Sequence, residues 1–341
     1  MSVLQALLAA ATFGLSTPLA KRLLDVASPV LLAGLLYLGA GLFLTGVRVV
    51  RRSRSPRALE PRERVILVGV VLSGGVLAPP LLLWGLARST ASAASLLLNL
   101  EVVFTVLLAG VVFREHLGRR VIVASIMLAA GGVVLGWTSG HLDLPVASIA
   151  VAGACLLWAI DNNLTRLIAD ADAVVVVQVK GLAAGAVNLG LALSAGHAVP
   201  PPAPIAISLV LGAVGYGTSL VLFILAMRGL GAARTGGYFA LAPFFGALGG
   251  VVLLGEPVTR QRALAGALMA AGVWLLLRER HAHRHHHETG IHTHRHVHDQ
   301  HHQHEHEGWE GAEPHIHPHP TGPLEHEHPH IHDRHHGHDH D

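Results

Sequence analysis

Of the chain's 27 histidines, 24 fall between His281 and Asp341. Many alternate with other residues, as in His292-Thr293-His294-Arg295-His296-Val297-His298 and His315-Ile316-His317-Pro318-His319. Neutral imidazole is a common ligand for zinc, nickel, cobalt and copper(II). Alternate histidines in a flexible segment wrap onto one ion, and nearby carboxylates add charge and second acceptors. The candidate ligands are His292, His294, His296, His298, His301, His302, His304, His306, His315, His317, His319, His326, His328, His330 and His332. Protonation near the imidazole pKa of about 6.5 would remove them, which suits exchangeable buffering or sensing.

A second reactive set lies inside apolar sequence: Asn99 and Glu101, then Asp161, Asn162 and Asn163, then Gln178, Lys180 and Asn188. A charge at membrane depth costs about 2.5–3.5 kcal/mol on insertion scales, so it faces a cavity or a partner. Glu101 or Asp161 suits a proton or cation, with Lys180 as neutralising partner and the amide oxygens as further ligands. Asn99, Asn162 and Gln178 join them as candidates for a substrate or ion pathway. The alternative role for all of them is structural, as an ion pair and interhelical hydrogen bonds.

What must position these residues is membrane helix. The chain has 341 residues, 51% hydrophobic and 13% charged, with a mean hydropathy of +0.50. That indicates a polytopic membrane protein. A spanning helix needs about 20 mostly apolar residues. Ten candidates occur, at 3–24, 29–49, 65–87, 91–113, 120–137, 146–167, 173–195, 205–227, 233–254 and 262–278. Val3 to Leu24 lacks a basic flank before it and reads as a retained helix. With the N-terminus inside, 16 Lys and Arg fall in cytoplasmic segments against five outside. The positive-inside bias therefore predicts a multi-pass inner-membrane protein with both termini cytoplasmic.

The charge is divided. Residues 1–280 hold 21 basic and 11 acidic residues, a net of +10, and 281–341 carry a net of −8. An acidic, histidine-dense tail attracts cations and is a poor partner for nucleic acid. Its polar, proline-dotted composition predicts disorder. Cys155 is the only cysteine, so no disulfide forms within the chain. No Ser/His/Asp set, HExxH pair or paired catalytic carboxylates occur, and no enzyme is expected. Isolated His116, His141 and His197 read as loop residues. Glu115 and Glu256, at helix ends beside arginines, read as loop anchors. The glycine-rich runs at 212–217 and 246–250 read as close packing, and so do Tyr216 and Tyr238.

The body repeats itself. Glu115-His116-Leu117-Gly118-Arg119-Arg120 aligns with Glu256-Pro257-Val258-Thr259-Arg260-Gln261 at an offset of 141. The same offset lays Glu101-Val102-Val103-Phe104 on Ala242-Pro243-Phe244-Phe245. Near the start of each half, Phe13 to Lys21 lies on Trp158 to Arg166. Each half has five helices, and an odd repeat inserts upside down. The expected fold is an all-α membrane protein of ten transmembrane helices in two inverted five-helix repeats, plus the disordered His-rich tail. The units are residues 1–140, 141–280 and 281–341. Secondary transporters commonly use this arrangement, with the substrate site near midplane.

The segments from Glu101 to Gly132 and from Ala242 through Gly255-Glu256-Pro257 to Gly272 resemble the paired signatures of EamA-like proteins of the drug/metabolite transporter superfamily. The resemblance covers residues 1 to about 280. Val102 stands where the family often places proline after that glutamate. The resemblance implies an alternating-access permease, with members moving amino acids, metabolites, drugs and other solutes. Joined to the tail, it leaves three readings open. One is a permease linked to a divalent metal such as nickel, cobalt or zinc. Another is an exporter of an organic solute whose tail senses or incidentally binds metal. The last is a membrane-anchored metal store. The expected partners are the lipid bilayer and a small solute or metal ion, with a homodimer compatible. No cofactor is required beyond metal bound by the tail.

Overall fold

The computed structural model describes residues 1–50, 59–112, 117–138, 141–142, 145–168, 171–230, 232–278, 282–287, 290–296, 315–321 and 324–329, the last four by backbone alone. They fall into two units, Met1–Glu279 and Arg280–Asp341.

The first unit is helical. In chain order its helices are α1 (Ser2–Leu23), α2 (Pro29–Val50), α3 (Pro61–Val70), α4 (Ala78–Ala87), α5 (Ala91–Leu97), α6 (Leu100–Val112), α7 (Arg119–Leu135), α8 (Val146–Arg166), α9 (Ala173–Ser194), α10 (Pro202–Gly212), α11 (Ser219–Leu230), α12 (Ala232–Phe239), α13 (Ala242–Leu254) and α14 (Arg260–Leu277). A two-residue strand pair, β1 (Trp137–Thr138) with β2 (His141–Leu142), precedes α8. Side-chain caps fix several starts: Thr90 accepts from the Ala93 amide, Asp172 from Val174 and Thr259 from Arg262.

Two π-helical segments interrupt these elements. Val71–Leu77 joins α3 to α4, and Ala213–Thr218 joins α10 to α11. Both are glycine-rich, and both fall in the third long helix of their half. Two further helices are broken. α5 ends at Leu97 and α6 begins at Leu100; α12 ends at Phe239 and α13 begins at Ala242. Pro243 accounts for the second break, since it brings no N–H to the ladder. The first break forms with Val102 in place of proline. There the Asn99 side-chain amide donates to Leu96 O at 3.1 Å, the carbonyl that its own backbone N–H also uses. Such local side-chain bonding competes with helix continuation.

Among the described residues, eight helical runs are long and apolar enough to cross a membrane: Ser2–Leu23, Pro29–Val50, Pro61–Ala87, Ala91–Val112, Val146–Arg166, Ala173–Ser194, Pro202–Met227 and Arg234–Leu254. The sequence predicts ten. The other two are α7, of 17 residues, and α14, of 18. Each opens on arginines (Arg119 and Arg120; Arg260 and Arg262), which shorten the apolar stretch.

Packing is reciprocal. At the α2–α9 crossing, Gly41 meets Leu182 and Gly185 meets Leu38. Between α7 and α14, Gly131 meets Met269 and Gly272 meets Leu128. The main core gathers Leu32, Leu36, Leu82, Leu86, Val151, Cys155 and Trp158 from α2, α4 and α8.

In the second unit, β3 (Ala282–His287) pairs antiparallel with β6 (Leu324–Pro329), and β4 (Gly290–His296) with β5 (His315–Thr321). The sequence predicts a disordered tail, most of which lies outside the described residues; the stretches described pair as strands. Histidine alternation shares the period of two that a strand has. The ladders keep to two strands each, where proline is tolerated on an edge.

Candidate functional site

The polar residues of the membrane body separate into groups. α8 supplies Asp161 and Asn162, adjacent in sequence. The Asp161 Oδ2 pairs with Lys180 Nζ of α9 at 2.7 Å, and their side chains are 4% and 16% exposed. Thr165, one turn on, donates to Asp161 Oδ1 at 3.2 Å. Asn162 donates from Nδ2 to Glu101 Oε1 at 2.8 Å. Glu101 stands in the first turn of α6, just past the break, and Asp161 and Lys180 lie close enough to act on it electrostatically. Two carboxylates and one ammonium thus share a small region, and Glu101 is held by an amide rather than a cation.

Asp161 reaches Lys180 across the first π-helical segment. Gly74 lies directly against the Asp161 carboxylate, leaving no room for a Cβ. The looser winding of that segment frees carbonyls, and side chains from other helices fill them. Tyr37 Oη of α2 donates to Gly74 O at 2.7 Å, and Trp158 Nε1 of α8 donates to the same oxygen at 3.0 Å. Asn188 Nδ2 of α9 donates to Gly75 O at 3.1 Å.

An aromatic run leaves this point. Tyr37 stacks tilted on Tyr216 with ring centroids 5.7 Å apart. Tyr216 meets Phe13 edge-on at 5.4 Å, Phe13 meets Phe239 at 5.4 Å, and Phe239 meets Phe223 at 5.2 Å. The run joins the two halves, with rings from α2 and α1 against rings from the second π-helical segment, α11 and α12.

The remaining predicted residues lie elsewhere. Gln178 donates to Thr45 Oγ1 at 2.8 Å and accepts from Arg48 Nη1 at 2.5 Å, so it ties α9 to α2 rather than joining Lys180. Asn99 is 1% exposed and bonds within its own helix break. Asn163 donates to Ala159 O at 2.9 Å and Thr105 O at 3.3 Å, binding α8 to α6. Glu256 anchors a loop, through Ala91 and Ser92. Glu115 and His116 lie outside the described residues. Sequence reasoning overlooked Tyr37, Trp158 and Phe13. One signal was available: the alignment of the halves lays Phe13 on Trp158, placing an aromatic at matching positions.

Among the described residues, no three His, Cys, Asp or Glu side chains are grouped to hold a metal ion. Of the tail's candidate ligands, His292, His294 and His296 fall in β4, His315, His317 and His319 in β5, and His326 and His328 in β6. His298, His301, His302, His304, His306, His330 and His332 lie outside the described residues.

Comparison with known proteins covers the helical body. The chain is 30% identical over 283 residues to a protein described as an uncharacterized transporter of Methanothermobacter thermautotrophicus, covering 77% of this chain and 82% of that protein. It is 29% identical over 201 residues to a probable terminal-alkyne amino-acid exporter of Streptantibioticus cattleyicolor, covering 58% of this chain and 68% of that one. A crystal structure 20% identical aligns with a TM-score of 0.60 over 80% of this chain and 95% of its own, a likeness of fold. The EamA-like transporter family model matches twice, over residues 1–137 and 146–278. Two matches that together span the helical body make the chain a member of the EamA-like transporter family.

Proposed function

We propose that the chain is an alternating-access exporter of a small organic solute that carries an amino group and a carboxylate, as an amino acid does. The observation that carries this reading is the Asp161–Lys180 pair beside Glu101, at the head of an aromatic run. Glu101 meets the solute's ammonium, Lys180 turns from Asp161 to its carboxylate, and the rings of Tyr37 and Tyr216 take its apolar part. Glu101 accepts a proton when the ammonium leaves, which couples export to a proton gradient. The name given to the Streptantibioticus cattleyicolor relative supports this solute class.

The architecture in this reading is ten crossings in two inverted repeats, residues 1–140 and 141–280. The paired π-helical segments, the paired helix breaks and the reciprocal glycine contacts support it. The arginine bias supports an orientation with both termini on the cytoplasmic side of the inner membrane.

Counterflow of labelled amino acids in proteoliposomes tests the assignment, set against nickel, cobalt and zinc flux. Glu101→Gln is expected to lower amino-acid flux by about tenfold or more, the effect of losing about 1.4 kcal/mol of charged interaction. Metal flux that depends on Glu101, with no amino-acid counterflow, would overturn it. A second reading rests on the 24 tail histidines: nickel, cobalt or zinc bound by the tail regulates export. A chain ended after Arg280 is then expected to lose the response of flux to added metal and keep flux in chelator.

A further inference from the structure

One end of the helix bundle is held by side chains that belong to neither the polar pair nor the aromatic run. The elbow Arg88–Thr90 joins α4 to α5. On its near side, Lys21 Nζ of α1 donates to three carbonyls, Leu86 at 2.6 Å, Ala87 at 3.0 Å and Ser89 at 2.9 Å. On its far side, Glu256 takes three hydrogen bonds. The Ala91 amide donates to its Oε1 at 2.6 Å. The Ser92 amide and hydroxyl donate to its Oε2 at 2.9 Å and 2.5 Å.

Glu256 does not reach this position by chance of a loose loop. α13 ends at Gly255 in a left-handed conformation, φ 69°, and the Glu256 amide returns to Gly250 O at 3.2 Å. Gly255 carries that φ without the steric penalty other residues meet. The turn folds Glu256 back over α5. Thr90 caps α5 only at the Ala93 amide, and Glu256 reaches from a distant turn to take the free amides of Ala91 and Ser92. Two ionisable side chains, Lys21 from α1 and Glu256 from the turn after α13, one in each half of the family match, therefore converge on one elbow.

Below this contact the packing is closed. Gly250 lies against Ser92, and Gly246, one turn deeper on α13, lies against Ser95. Ser95 is 0% exposed and its hydroxyl has no hydrogen-bond partner.

We propose that Glu256, Ser92 and Lys21 form a latch that keeps this end of the bundle shut, and that its release parts α13 from α5 and opens the route to the polar site. The arginine bias makes this the outer end. The inference rests on the carrier reading above, because a latch needs a path to close. Glu256 and Lys21 are positioning residues; neither touches the solute.

Accessibility of a thiol at position 95 tests this without any substrate. Ser95→Cys is introduced in the full chain, where Cys155, the native thiol, is buried. Labelling with a membrane-impermeant maleimide is then measured in oriented vesicles from either side. With the latch intact, little labelling is expected. Glu256→Gln and Lys21→Met should each raise labelling from the outer side several-fold and leave inner-side labelling unchanged. Ser92→Ala, a milder change, should raise it less and guards against loss of folding in the charge variants. Retained thermal melting shows that each variant is folded. Labelling unchanged in all three folded variants would overturn the latch and leave the carrier reading standing, since Glu101-dependent counterflow reports on that separately. Labelling that rises equally from both sides would also overturn it, as general loosening rather than release of one end.

Discussion

The two π-helical segments occupy matching places in the two halves and differ in what they face. In the first, Gly74 lies against Asp161, whose carboxylate pairs with Lys180. In the second, Gly215 lies against Ser16. Ser16 is the residue that the alignment of the halves sets on Asp161. Its hydroxyl turns back to Phe13 O of its own helix at 2.5 Å. The backbone device is duplicated and the charge is not. A repeated scaffold thus provides two equivalent seats for a helix, and substitution at one position turns one seat into an ionic site.

The sharpest test of that difference is removal of the group at each seat. Asp161→Asn leaves Lys180 buried without its counter-charge, and breaking a buried pair costs about 3–5 kcal/mol. Ser16→Ala removes a hydroxyl bonded within its own helix and should cost no more than about 1 kcal/mol. Thermal melting of the purified protein should separate the two clearly, with solute flux lost in the first and kept in the second. The double variant Asp161→Asn with Lys180→Met should recover much of the stability and none of the flux. Equal losses from Asp161→Asn and Ser16→Ala would erase the distinction.

Alanine at the two glycines gives a smaller contrast. Each added methyl enters packed space, and overpacking costs about 1–3 kcal/mol. Gly74→Ala should in addition displace the Asp161 carboxylate and depress counterflow, whereas Gly215→Ala should lower melting alone. Comparable flux defects from both would mean that the two halves share the chemistry.

The smallest expected effect compares the deep ion pair with the latch at the bundle end. Burial alone would raise the Glu256 carboxyl, but the Ser92 hydroxyl and amide, the Ala91 amide and Arg262 outweigh it and hold it below its ordinary value of 4.5. A carboxyl lowered in the folded state stabilises above its unfolded value, and that contribution fades as pH falls through the folded one. The melting difference between wild type and Glu256→Gln should therefore be constant from pH 7 to about 5 and shrink below pH 4.5. A difference that disappears already near pH 6 would show that the latch is not what Glu256 contributes.

Helix positions were legible because about 20 apolar residues in a row have few other uses. The pairing of Asp161 with Lys180 was legible for a similar reason, since charges at that depth need partners. The bond from Asn162 to Glu101 was not, because an amide in a helix serves many partners. Gln178 shows the same limit: two residues from Lys180, it faces Thr45 and Arg48, since helical neighbours two apart point different ways. The helix break at Asn99 was hidden by attention to proline. The glycine run at 212–217 reads as close packing alone, as glycine runs do not declare how the backbone winds through them. Glu256 was read as a loop anchor, which it is, but the elbow it grips is distant in sequence, and only the fold brings Ser92 within reach.

The crossing of α2 and α9 has a mechanical consequence. Gly41 and Gly185 each stand thirteenth in a helix of 22 residues, and each meets a leucine of the other helix. The tight contacts of these two helices run from Gly34 against Leu189 to Gly41 against Leu182, across the middle of both. A pair of rods touching at mid-length behaves as a balance beam: a tilt that spreads one end narrows the other. A bulky residue at either glycine would lift the rods apart at the fulcrum, and the two ends would lose their opposition.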